Sequence, residues 1–189
     1  MSVASIGNAW GRTHARLQQV ALGLFERQGF EHTTVAQIAE AAGVAEMTFF
    51  RHFAVKHGVL FHDPYDDIIV GAVREQPLGL APLARAVAGF RQAWRLVPEP
   101  ETDLVRRRVR IVAMTPSLRG EMWRTNAVTE AVVADQLIDD GTDPVRAKVA
   151  ASAVLAALTA ALFEWSLREE THLGDYIEVA LDVLEGRRG

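Results

Sequence analysis

The run Thr48-Phe49-Phe50-Arg51-His52-Phe53 sets a guanidinium and an imidazole among three aromatic rings. Glu46 and Met47 precede it, and Lys56 follows three residues after its end. Such groups fit nucleic acid. Arg, His and Lys donate to phosphates, Arg forks onto guanine, and Met or Thr methyl groups touch a thymine methyl. A second cluster, His57, His62, Asp63, Asp66 and Asp67, has the donor types that hold divalent metals for hydrolysis. It supports an alternative, an all-helical metal-dependent phosphohydrolase using His57, His62 and Asp63. That alternative needs a further upstream His and a distant Asp, and Pro64 interrupts the helix that would present the ligands. A third group is Arg106-Arg107-Arg108-Val109-Arg110, of which only Arg106 and Arg110 share a helix face; the run reads first as a solvated face paired with acids such as Asp103. No Ser-His-Asp set or Gly-rich phosphate loop is visible, and there is no Cys. Neither a catalytic residue set nor a cofactor is expected.

Two short helices must position Arg51 and His52. Thr34 and Gln37 have the spacing of a capping box, and the helix they open buries Val35, Ile38, Ala39 and Ala42. Gly43 ends it by allowing a positive φ, and a second short helix runs from about Ala45 to Phe53. Two helices joined by such a turn have the form of a helix-turn-helix, a spacing that structural bundles also contain. Phe49 and Phe53, i and i+4, face inward and leave Met47, Thr48, Phe50, Arg51 and His52 outward. An earlier helix carries Leu17, Val20, Ala21, Leu24 and Phe25 at a 3.6-residue period, and Gly29 caps it.

Further on, the pattern predicts helices from Lys56 to near Pro64, from Pro82, from Asp103 to Met114, from Ser117 to Asp139, from Pro144 to Arg168, and after Gly174. Residues 98–102 read as a linker. The chain is therefore all-α, with about nine helices: a three-helix head over 10–57 and a larger body over 58–189.

The 189 residues carry a net charge of −4, but unevenly. Residues 1–62 hold five Lys/Arg against four acids, whereas the rest holds 15 against 20. That asymmetry predicts two parts with different partners. The N-terminus lacks a signal-peptide pattern. The longest uncharged run, 149–163, is shorter than the ~20 apolar residues of a spanning helix, so it reads as a buried helix. A cytoplasmic protein with no membrane partner is expected.

Residues 33–60, TTVAQIAEAAGVAEMTFFRHFAVKHGVL, resemble the DNA-binding signature of the TetR family of transcriptional regulators. The resemblance implies a homodimeric, ligand-responsive regulator, of the repressor type, on a palindromic double-stranded operator. It assigns Thr34 to a phosphate, Met47 and Thr48 to base edges, Arg51 and His52 to phosphates or bases, and Lys56 to the backbone. Glu46 departs from the family, which often has a basic or neutral residue there; an acid repels phosphate unless it accepts from a cytosine amino group. Ala45 and Val55 stand where the family often has capping Ser or Thr, and Phe50 replaces a common Tyr. These departures imply weaker contacts, a lost cap alone costing ~1 kcal/mol.

For the body, Ala153, Ala157 and Ala161 form a small-residue ridge, and the last helix carries Tyr176, Ile177 and Leu181. Together they are the expected dimer interface, as a four-helix contact, although an intrachain core would use such a ridge equally well. Pocket candidates are Phe90, Trp94, Met114, Met122, Trp123 and Phe163, with Arg110 for an anionic group. Residues 106–122 resemble a TetR subgroup described as binding acyl-CoA-like ligands, including the mycofactocin-system regulators, which implies an effector of that kind.

Overall fold

A computed structural model describes residues 3–61, 66–96, 103–169 and 171–187, without the side chains of residues 3–8 and Asp66. The described residues form helices and turns only. The chain divides into two compact units, Met1–His62 and Asp63–Gly189. This moves the expected boundary from 57/58. Val59 and Leu60 are buried, and the buried Gln18 donates to the Val59 carbonyl (3.2 Å), so this segment closes the head.

In the head, α1 (Val3–Gln28) is followed by α2 (Val35–Ala41), α3 (Glu46–His52) and a 3-10 turn over Lys56–Val59. Gly29 has φ 84°, which lets Phe30 fold back so that its ring lies 5.1 Å from that of Phe25. The capping box is formed in full. The Gln37 amide donates to Thr34 Oγ1 (3.2 Å), and the Thr34 amide to Gln37 Oε1 (2.9 Å). Gly43, with φ 63°, reverses the chain, and the Val44 amide reaches back to the Ala39 carbonyl (2.9 Å). Leu17, Leu22, Phe25, Ile38 and Phe49 fill the interior. Leu22 takes a place the sequence pattern gave to Leu24, which is only half-buried.

The body contains α4 (Asp66–Arg74), α5 (Pro82–Leu96), α6 (Asp103–Met114), α7 (Pro116–Asp139), α8 (Pro144–Ser166) and α9 (Leu173–Leu184). The expected helix at Lys56 is thus only a short 3-10 turn, and α4 begins after Pro64. Pro64 and the 98–102 linker lie outside the described residues. Asp143 caps α8 by accepting from the Val145 and Arg146 amides (3.1 Å each), with Pro144 in the first turn. Val87, Phe90, Val133, Leu137, Val154, Trp165, Ile177 and Leu181 share one core. A polar chain ties α4, α5 and α7. Arg74 donates to Gln136 (2.9 Å), while Gln136 (2.8 Å) and the buried Arg85 (2.6 Å) both donate to Asp140.

Candidate nucleic-acid interface

The face that α3 offers is set by what it buries. Phe49 is 0% exposed and Phe53 is buried, whereas Met47 is 67% exposed and Phe50 46%. Thr34, Glu46 and Arg51 are also exposed, and Thr48 and His52 are half-buried. The helix therefore shows solvent an acid, a thioether, an aromatic ring and a guanidinium along little more than one turn. Ala45 gives α3 no side-chain cap, and Val55 gives none to the 3-10 turn.

Two of the expected contact residues are engaged within the head. Lys56 Nζ donates to the carbonyls of Phe30 and Thr33 (2.9 Å each) and lies 4.0 Å from the Phe30 ring centroid. Two of its three ammonium hydrogens thus hold the α1–α2 connection, beside the DNA contact expected of it. His52 stacks on Trp10 of α1, ring centroids 3.7 Å apart. Its Nδ1 is buried with no hydrogen-bond partner among the described residues, and desolvation lowers its pKa from the usual 6.5. Sequence reasoning missed Trp10 because 42 residues separate it from His52 and no local period links them.

The body residues divide. Phe90 is buried in the core, while Trp94, Met122 and Phe163 are half-buried. Met114 (68% exposed) and Trp123 (62%) face solvent, so neither lines an enclosed pocket in this protomer. Arg110 is exposed on α6. Arg106 caps the end of α8, donating to the carbonyls of Trp165 (3.0 Å) and Thr171 (2.6 Å).

The expected dimer residues also need correction. Ile177 and Leu181 belong to the protomer's own core, because their stripe on α9 closes it. Tyr176 and the alanines Ala153, Ala157 and Ala161 are half-buried. The side of α8 opposite its buried residues carries Val149, Ala153, Ala156 and Ala160, and α9 exposes Val179 and Val183. Only 28% of the most apolar stretch of α8 is buried in the protomer. By length and composition alone this helix could cross a membrane, but Ala147, Ala151, Val154, Leu158 and Trp165 on its other side are buried in the body's core.

Of the metal-site candidates, His57 lies in the 3-10 turn, and His62 and Asp63 lie outside the described residues.

Comparison with known proteins bears on both units. Residues 18–62 match the family model described as bacterial regulatory proteins, tetR family, and residues 80–189 match the MftR C-terminal domain. The chain is 34% identical over 187 residues to the HTH-type transcriptional regulator TcmR of Streptomyces glaucescens, covering 92% of this chain and 83% of that one. It is 26% identical over 187 residues to the putative mycofactocin biosynthesis transcriptional regulator MftR of Mycobacterium tuberculosis (strain ATCC 25618 / H37Rv), covering 95% and 92%. The solved structure of NalD, the secondary repressor of the MexAB-OprM multidrug efflux pump in Pseudomonas aeruginosa, superposes with a TM-score of 0.60. That likeness is at 22% identity, over 94% of this chain and 96% of that one, and speaks for the fold. The relatives are regulators of transcription, which overturns the metal-hydrolase alternative. With matches to the family's DNA-binding model and to a C-terminal model spanning more than half of its length, the chain belongs to the TetR family of bacterial transcriptional regulators.

Proposed function

We propose that the chain is a cytoplasmic, one-component repressor whose head (Met1–His62) reads operator DNA and whose body (Asp63–Gly189) dimerises and senses an effector. The observation that carries the DNA reading is the outward face of α3, with Met47, Phe50 and Arg51 over a buried Phe49. On this reading α3 enters the major groove, and two heads meet half-sites ~34–36 Å apart or a multiple of that spacing. Arg51 donates to a phosphate or guanine, and Met47 and Thr48 touch thymine methyl groups. Glu46 accepts from a cytosine amino group, which makes it a discriminating residue. Phe50 contributes apolar contact in place of a hydroxyl. Thr34 already accepts in its cap and donates its hydroxyl hydrogen to phosphate, and Lys56 has one ammonium hydrogen left for the same purpose.

Dimerisation joins the Val149/Ala153/Ala156/Ala160 stripe and Val179/Val183 to the same surface of a second copy. Alanines let the helices approach closely, and the valines supply apolar area. For the effector we favour an anionic molecule with a long apolar part, of the acyl-CoA kind. The match of the body to the MftR C-terminal domain supports this choice. So do the half-buried Trp94, Met122 and Phe163, with Arg110 as a partner for the anionic group. Such an effector releases DNA only by binding more tightly to the conformation whose heads no longer span the two half-sites.

The test is fluorescence anisotropy of a labelled duplex from upstream of the protein's own gene, at two salt concentrations, with and without long-chain acyl-CoA. Specific binding that weakens with salt and is lost with acyl-CoA supports the whole reading. Binding indifferent to acyl-CoA removes the effector assignment alone. If neither this duplex nor duplexes selected from random sequence bind specifically, the operator reading falls.

A further inference from the structure

The grip that α1 exerts on the end of α3 goes beyond the contacts already assigned. Trp10 and His14, one turn apart on α1, meet the last residue of α3 and the residue that caps it. Trp10 stacks on His52 with centroids 3.7 Å apart and planes 30° apart. His14 lies 4.3 Å from the Phe53 ring and 5.6 Å from that of His52. The recognition helix needs such support. It has seven residues and no side-chain N-cap, and an isolated helix of that length is not stable in water. Phe49 anchors its middle in the core, and the Trp10–His52 stack holds its C-terminal end.

Trp10 is 51% exposed, an unusual place for a large aromatic ring whose only task is to fill a core. The head's interior is complete without it, in Leu17, Leu22, Phe25, Ile38 and Phe49. His52 is correspondingly constrained. With Nδ1 buried and unpartnered among the described residues, the tautomer that keeps its proton on Nε2 leaves the donor on the other side of the ring.

We propose that Trp10 is a positioning residue for operator binding: by stacking on His52 it fixes the reading angle of α3 and presents His52 to DNA as a neutral Nε2–H donor. The proposal rests on the DNA-reading role of the head. Its energetic scale is that of one aromatic pair, which corresponds to a change in operator affinity of roughly 2- to 10-fold.

The experiment compares Trp10→Ala, Trp10→Phe, His52→Ala and the double variant Trp10→Ala/His52→Ala in the full-length protein. Each is titrated against a duplex that the wild type has selected from random-sequence DNA. The His52 ring protons are followed by NMR in the DNA-free wild type and in both Trp10 variants. We expect Trp10→Ala to weaken binding by roughly 2- to 10-fold while the protein stays fully folded at the assay temperature, and Trp10→Phe to restore most of the affinity. The double variant should bind no more weakly than His52→Ala alone, and the part of the His52 ring-current shift that comes from Trp10 should be lost in Trp10→Ala. Wild-type affinity in Trp10→Ala, or losses that simply multiply in the double variant, would overturn the positioning role and leave the DNA reading standing. Should the wild type select no sequence, the DNA reading itself fails and the proposal with it.

Discussion

Arg106 lies over Trp165: the guanidinium carbon is 4.2 Å from the ring centroid, and the fork closes on backbone carbonyls at the end of α8. One nitrogen donates to the Trp165 carbonyl and, by a short contact, to that of Arg168, and the other donates to Thr171. The Thr171 carbonyl also accepts from Trp165 Nε1 (3.1 Å). A positive charge therefore adds donors to a cluster of carbonyls at the end of the helix, where the helix dipole favours a cation.

Replacing Arg106 with Ala should lower the unfolding free energy by about 2 kcal/mol, the scale of a charge-assisted hydrogen bond together with a cation–π contact. Arg106→Lys should recover less than half of this, because an ammonium cannot fork and stack at once. Urea midpoints measure both variants. A lysine variant as stable as wild type would show that charge alone matters.

Gly89 and Gly71 make opposite predictions on adjacent helices. A Cβ at Gly89 would overlap Val73 Cγ2 and stand 2.7 Å from Val73 Cα, so α5 and α4 touch almost backbone to backbone there. Gly89→Ala should destabilise by at least ~1–3 kcal/mol, since a rigid helix must shift. Gly71 lies within α4 with no atom of the described residues within 4 Å of its would-be Cβ, and Gly71→Ala should stabilise by ~0.5–1 kcal/mol. Thermal unfolding of the two variants side by side decides the matter; equal effects would place the close approach elsewhere.

The difference between legible and illegible parts follows the range of the physics. Thr34/Gln37, Gly29, Gly43 and Asp143-Pro144 act on neighbours within a few residues, so their caps and turns can be read from the sequence. The outward face of α3 is readable as well, because the i, i+4 pair Phe49/Phe53 fixes its inward one. Arg106 has partners 59 to 65 residues away, and its run of arginines alone reads as a solvated face. Lys56 meets Phe30 and Thr33 only after the head has closed. On α9 the stripe with Ile177 and Leu181 announces burial, but not whether its own core or a second copy does the burying. Val179 and Val183, beside that stripe, become visible only once the core is known to be filled by the others.

Lys56 separates an internal staple from a phosphate clamp. If its main work is on the Phe30 and Thr33 carbonyls, Lys56→Met should cost the head ~1.5–3 kcal/mol. Operator binding should weaken while the slope of log K against log salt stays near the wild-type value. A phosphate clamp predicts the reverse: little loss of stability, and a slope shallower by about one unit per subunit. Denaturation and salt titration on one preparation distinguish the two.

The proposed dimer surface gives a sharper test, because its exposed residues should behave unlike the core residues Ile177 and Leu181. Val149→Glu with Val183→Arg places charges on exposed positions, so each protomer should stay folded while sedimentation shows monomers. Ile177→Arg instead buries an unpaired charge in the protomer core and should abolish folding. A dimer that survives the double substitution would remove this face of α8 and α9 from the interface.

Acid should loosen the two units at different pH. Desolvation holds the His52 pKa below 6.5, so the folded head favours the neutral ring. Between that lowered value and 6.5 the unfolded chain binds more protons. Head stability is therefore complete above 6.5 and falls as pH drops below it. The His14 ring lies 5.6 Å from that of His52, on α1. In the body, Asp140 moves below its usual 3.8 through hydrogen bonds from Gln136 and then Arg85. Its contribution is present above 3.8 and is lost only as pH falls through the lowered value. Hydrogen exchange followed from pH 7 to 5 should thus show protection falling in α2 and α3 before α7 and α8. His52→Gln should flatten the head's response relative to wild type; an unchanged slope would assign the acid sensitivity to another histidine.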